Sequence, residues 1–300
     1  MRMTAGIYRL RLAAAFCTVG IALGALTLGA LTPGAVNAWT TTARAAEDVT
    51  LWDGDHRSGV RMIAGAPPAG AAYLRAGVEI RLMRGWHTYW RYPGDAGVPP
   101  QFSFAGSRNV KHVEVLWPAP ERMVDAGGTS IGYSTDVIFP LRVVPQQAGK
   151  PVALRLRLQY AICEKLCVPA EARSELTLAS GRASQDAALT AAEGRVPKRQ
   201  SLGEGGDLSI RSVRRERGKG DRERTVVDVA GPAGVDLFAE GPNQQWALPV
   251  PTPVTGAPPG LQRFVFELDG APTGERYQGA LLTLTAVAPG RSVEVSTRLD

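Results

Sequence analysis

The sequence predicts an all-β protein, a β-sandwich followed by a second, smaller all-β domain. Three observations predict this. Apolar and polar residues alternate with period two over many short segments. Gly and Pro, 34 and 22 of the 300 residues, punctuate the chain between those segments. No amphipathic helix separates them, so a βαβ thioredoxin-type arrangement is not supported.

The first set of strands runs through "VTLWDG" (49–54), "VRMIAGA" (60–66), "GVEIRLMRGW" (77–86), "PQFSFAG" (100–106), "VKHVEVLWP" (110–118), "DVIFPLRVVP" (136–145) and "VALRLRLQYAIC" (152–163). In the last, Val152, Leu154, Leu156, Leu158 and Tyr160 fall on one face, with Arg155, Arg157 and Gln159 on the other. That pattern defines a half-buried antiparallel strand, and seven such segments between turns make a sandwich over residues 46–180. Residues 181–206 change character and read as a polar linker holding a short helix, Ser184–Glu193. The cluster "RRERGKGDRER", Arg214–Arg224, mixes both signs with glycine and reads as a solvated hairpin loop, the sharper alternative being a docking surface for an acidic partner. Around and after it, "TVVDVAG", "VDLFAEG", "QQWALPV", "QRFVFELDG", "ALLTLTAVA" and "SVEVSTRL" place the second domain at 207–300. That half has no cysteine or histidine, and no chemistry is assigned to it.

The N-terminus opens with Arg2, Arg9 and Arg11, then an uncharged run from Leu12 to Leu31, then "VNA" ending at Ala38 and "ARA" ending at Ala45. A basic region, an apolar region and small-residue cleavage sites read as a signal peptide over residues 1–45, and hence as export to an oxidising compartment. An uncleaved membrane anchor is the alternative, since about 20 apolar residues can span a bilayer. Cys17 lies inside this segment and is set aside. Removing residues 1–45 takes away four arginines and no acid, leaving 30 basic against 28 acidic residues. The basicity therefore belongs largely to the targeting segment, and no nucleic-acid partner is expected.

Cys163 and Cys167, in "LQYAICEKLCVPAEA", then stand out. An exported pair can exist as a disulfide. As a structural staple it would close so short a loop that the gain is only about 2 kcal/mol, little for a chain with two cores. As a metal site it lacks partners, because His56, His87 and His112 are scattered and a closed site wants four ligands. As a redox pair, the spacing argues in its favour: one sulfur can meet an incoming thiolate while its neighbour resolves the mixed disulfide. Lys165 would favour a thiolate and Glu164 oppose it. No cofactor is expected, since the electrons travel as a dithiol. Trp86, Tyr89, Trp90 and Tyr92, beside the turn "YPGDAG", read as packing at the end of the sandwich, with partner contact as the alternative.

"YAICEKLCVPAEA", with "GWHTYWRYPGDAGVPPQF" (85–102) and "GYSTDVIFPLRV" (132–143), resembles the N-terminal periplasmic domain of the thiol:disulfide interchange protein DsbD, in the branch of the ScsB-type proteins. The resemblance covers about 48–180. It implies an immunoglobulin-like sandwich that passes reducing equivalents from a membrane partner to oxidised thioredoxin-fold proteins of the periplasm. It makes Cys163 and Cys167 the redox pair, with Cys167 attacking and Cys163 resolving. It also implies a loop that caps the pair until a partner docks. Here that is Val124–Tyr133 as a moving lid with Tyr133 as its ring, while Tyr160 and Pro169, which flank the pair, are cap or partner contacts. The family continues into a transmembrane domain and a thioredoxin-like domain. Neither follows Asp300, so the membrane thiol electron transporter is expected on a separate chain.

Overall fold

The computed structural model describes residues 47–95, 97–125, 128–179, 183–218 and 222–300. The expected signal peptide, its cleavage sites and its anchor alternative lie outside the described residues. Among these residues no helix is long and apolar enough to cross a membrane.

The first sandwich contains β1 (Asp53–Gly54), β2 (Ser58–Ala64), β3 (Leu74–Leu82), β4 (His87–Gly94), β5 (Gln101–Ser103), β6 (Val110–Val115), β7 (Glu121–Asp125), β8 (Gly128–Tyr133), β9 (Val137–Pro145), β10 (Val152–Cys163) and β11 (Cys167–Leu178). One sheet has the order β1-β2-β3-β9-β6, the other β11-β10-β4-β8-β7 with β5 added to β10. Period-two alternation buries Val60, Met62, Val78, Ile80 and Phe139 from the first sheet against Trp90, Leu154, Leu156, Leu158 and Ile162 from the second.

Helix α1 (Asp186–Gly194) follows, then β12 (Lys198–Arg199), β13 (Ser209–Arg217), β14 (Glu223–Ala230), β15 (Asp236–Glu240), β16 (Thr252–Val254), β17 (Leu261–Glu267), β18 (Leu281–Ala288) and β19 (Arg291–Arg298). These strands form two four-stranded sheets, β12-β19-β18-β15 and β13-β14-β17-β16, around a core that includes Leu237, Trp246, Phe264, Leu284 and Val295. All the pairings are antiparallel except β12 with β19. The charge cluster from Arg214 spans the β13–β14 hairpin, whose ions pair with one another: Asp228 accepts from Arg214 and Arg263, and Glu216 from Arg214 and Arg224.

The segment expected as a linker does not run free. Leu189 of α1 is fully buried, and a Cβ at Gly65 or Gly77 would stand 2.5 or 3.1 Å from its methyl groups. Two glycines, one just after β2 and one in β3, thus open the place where the helix docks. Arg75 of β3 fastens both ends of α1, donating to Asp186 at 2.6 Å and to Glu193 at 2.9 and 2.7 Å. Further on, β12 pairs with β19.

The two sandwiches also touch directly. Phe238 and Val250 join the first core, and Phe238 lies 6.0 Å from Trp90 between ring centres. Arg91 of β4 donates to both carboxylate oxygens of Glu240, at 2.8 and 2.7 Å, and also reaches Glu294. Burial pulls the Arg91 guanidinium down, but the two carboxylates together hold it above its ordinary value. Arg122 of β7 forks onto Asp236 at 2.9 and 2.6 Å, and the Tyr92 hydroxyl donates to the Leu248 carbonyl.

Candidate functional site

The site grows from the β10–β11 hairpin. Twelve rungs pair the two strands in unbroken register, and the last of them sets Cys163 opposite Cys167. Glu164, Lys165 and Leu166 form the turn between them. The two Cα atoms are 4.2 Å apart and the sulfurs are joined as a disulfide.

Side-chain parity divides the hairpin. Leu158, Tyr160 and Ile162 point into the core of the sandwich. Ala161 and Cys163 take the opposite face, where they form a small separate cluster with Tyr89. The pair is asymmetric, with Cys163 4% exposed and Cys167 open to solvent. Leu166 beside it is 78% exposed, an apolar side chain presented to solvent at the turn.

Tyr89 is brought there by β4. Ile162 pairs with Thr88 and Cys163 with His87, and the Thr88 hydroxyl donates to the Ala161 carbonyl at 2.9 Å. This lock sets the Tyr89 hydroxyl 2.8 Å from Cys163 Sγ and 3.1 Å from Cys167 Sγ. Disulfide sulfurs carry no proton, so the hydroxyl is the donor. His87 packs edge-on against the Tyr89 ring at 5.5 Å. On its other side the ring is covered by backbone: a Cβ at Gly97 would lie 2.4 Å from a ring carbon, so only glycine lets the chain pass so close. Asp95 ties this loop to β8, its N–H donating to the Thr129 carbonyl at 2.9 Å and its carboxylate accepting from the Thr129 N–H at 3.2 Å.

Of the residues expected beside the pair, the structure does not bring Tyr133 there. Tyr133 points into the core, where its hydroxyl donates to the Pro118 carbonyl at 2.9 Å and its ring meets Phe139 at 5.4 Å. Burial raises its hydroxyl well above the ordinary tyrosine range. Nor is Val124–Tyr133 a lid across the disulfide. Apart from residues 126–127, outside the described set, it pairs as the β7–β8 hairpin, and Ser130 to Tyr133 are buried. Tyr160 sits on the core side of β10, its hydroxyl 2.8 Å from the Ser58 hydroxyl, so the sheet separates it from the sulfurs. Pro169 is exposed on β11 opposite Ala161, two residues beyond Cys167. The ring on the disulfide is instead Tyr89, which the sequence had placed among the packing aromatics. Its alternation with Thr88 and Trp90 carried the signal, but the partner on that face depends on the β4–β10 register. Among the described residues no group of three or more His, Cys, Asp or Glu side chains could hold a metal ion.

The fold and the pair define a two-sandwich protein whose first sandwich carries a disulfide across the last rung of a hairpin. Residues 68–179 match the family model described as "Thiol:disulfide interchange protein DsbD, N-terminal", a span that runs from before β3 to the end of β11 and so falls within the first sandwich. The solved structure of the N-terminal periplasmic domain of ScsB from Proteus mirabilis is similar with a TM-score of 0.65 and 19% identity, covering 84% of this chain and 98% of that one. At that identity the likeness speaks for the fold. No curated protein matches the chain.

Proposed function

We propose that the first sandwich, residues 46–180, performs thiol–disulfide exchange in the periplasm through Cys163 and Cys167. The observation that carries this reading is the asymmetry of the pair: Cys167 is exposed, while Cys163 is buried beneath a hydroxyl that donates to both sulfurs.

The chemistry follows from that asymmetry. A thiolate of a reduced thioredoxin-fold partner attacks Cys167 Sγ. A bond forms between partner sulfur and Cys167 as the Cys163–Cys167 bond breaks, and the electron pair goes to Cys163 Sγ. Tyr89 stabilises that thiolate by a charge-assisted hydrogen bond. The partner's second thiolate then attacks its own bridged sulfur, releasing Cys167. The partner dithiol becomes a disulfide and this chain's disulfide a dithiol, with two electrons and two protons transferred. The reverse sequence reduces an oxidised client. The reductant reaches the domain from a membrane thiol transporter.

A Cys163→Ser variant tests the reading. It leaves Cys167 without its resolving neighbour, so incubation with periplasmic extract should accumulate a mixed disulfide at Cys167 to a thioredoxin-fold protein, identified by mass spectrometry. Trapping through Cys163 in a Cys167→Ser variant, and not through Cys167, would reverse the roles. No trapped species from either variant would refute exchange.

A further inference from the structure

The strand that carries Cys167 is an edge. β11 ends its sheet, with β10 on one side and, among the described residues, no strand on the other. Three observations fix which of its main-chain groups face outward. The 4.2 Å between the Cα atoms of Cys163 and Cys167 is the spacing of a non-hydrogen-bonded rung. Rungs alternate, so Pro169 opposite Ala161, Glu171 opposite Gln159 and Arg173 opposite Arg157 are of the same kind. Their N–H and C=O positions point away from β10. Pro169 agrees, because a residue without an N–H is tolerated where that position faces outward. Arg173 agrees too, since its N–H donates outward to Asp53 at 2.7 Å.

The edge is therefore closed at one end and open at the other. Asp53 on Arg173, and Thr50 bonded to Ser174 at 2.8 Å, cover the half remote from the sulfurs. The half beside the disulfide presents the main-chain groups of Cys167 and Glu171, the Pro169 carbonyl, and the exposed Leu166 side chain. Unprotected edges invite pairing with other chains and are ordinarily blunted by charge, cover or proline. Here cover is withheld where the reactive sulfur lies, and a single proline interrupts the donors.

We propose that the Cys167–Glu171 edge of β11 receives an extended main-chain segment of the thioredoxin-fold partner, beside that partner's redox cysteine, as an added strand, and that Pro169 keeps this ladder short enough to release. The inference rests on the exchange reading above and adds to it how the partner is held. Main-chain pairing gives affinity with little demand on side chains, which suits a domain that both accepts from a donor and delivers to a client. It also holds the partner's thiolate against Cys167 Sγ, so that the new sulfur–sulfur bond forms as the Cys163–Cys167 bond breaks and the electron pair passes to Cys163 Sγ.

The test compares two reductants of the oxidised, full-length protein, reduced thioredoxin and dithiothreitol, by stopped-flow. Glu171→Pro deletes one outward donor at a rung of the kind Pro169 already occupies, and Glu171→Ala controls for the lost carboxylate. Relative to Glu171→Ala, the proline variant should react roughly tenfold more slowly with thioredoxin, the size of one hydrogen bond, and equally fast with dithiothreitol. Pro169→Val, which restores a donor, should lengthen the life of the mixed disulfide severalfold and leave the dithiothreitol rate alone. Unchanged thioredoxin kinetics in both variants, or parallel losses with both reductants, would overturn the proposal. A wild-type disulfide inert to both reductants would instead refute the exchange reading, and the docking mode with it.

Discussion

The Tyr89 hydroxyl stands closer to Cys163 Sγ than to Cys167 Sγ, 2.8 against 3.1 Å. In the proposed exchange, the sulfur that leaves as a thiolate is therefore the better supported one. Tyr89→Phe keeps the ring beneath Gly97 and deletes only the donor. A hydrogen bond to a charged group contributes about 1.5–3 kcal/mol, so reduction of the disulfide should slow by roughly ten- to a hundredfold. The melting temperature should move little. A wild-type rate in stopped-flow would show that the hydroxyl is spectator packing.

Arg91→Ala tests the joint between the sandwiches. It leaves Glu240 and Glu294, whose side chains are 17% and 13% exposed, without their shared cation. Burial already raises the Glu240 carboxyl, with Arg91 pulling it back down. Removing one partner of a buried pair costs about 3 kcal/mol or more. Urea unfolding should show a loss of that order, and a loss below about 1 kcal/mol would mean that the pair is solvated.

Helix α1 should depend on one side chain. Leu189→Ala removes a fully buried side chain from the place opened by Gly65 and Gly77. The expected cost is about 2–5 kcal/mol. Hydrogen exchange should report it as faster opening of α1 ahead of the strands.

The second sandwich should carry an acid-sensitive term. Hydrogen bonds from Arg263, with further support from Arg214, hold the Asp228 carboxyl at about 2, below its ordinary 3.8. A folded-state value below the unfolded one gives stability that is complete above about pH 4 and is lost as pH falls towards 2. Asp228→Asn should lower stability at pH 7 and flatten the profile of the second sandwich in that window. An unaltered slope in thermal melts from pH 2 to 5 would contradict this.

Much of this was legible locally. The alternation from Val152 to Tyr160 dictates a one-sided strand, and the position of Cys163 after it fixes which face the sulfur takes. What escaped the sequence is relational. Tyr89 reaches the disulfide because Thr88 and His87 pair with Ile162 and Cys163, a register that neither segment encodes alone. The resemblance places Tyr133 on a lid over the pair, whereas Gly132 lies tight against the β4 backbone: a Cβ there would be 2.0 Å from the Thr88 carbonyl oxygen. The docking of Leu189 depends on two glycines more than a hundred residues upstream, visible only once β2 and β3 are folded together.

The most direct measurement is the reduction potential of the Cys163–Cys167 bond in the folded protein, titrated against glutathione or dithiothreitol and read by thiol alkylation. The account predicts reversible equilibration at a potential above about −300 mV, in the range of exchanging disulfides. A bond that stays oxidised below that value, or opens only on unfolding, would make the pair a static bridge and contradict the account.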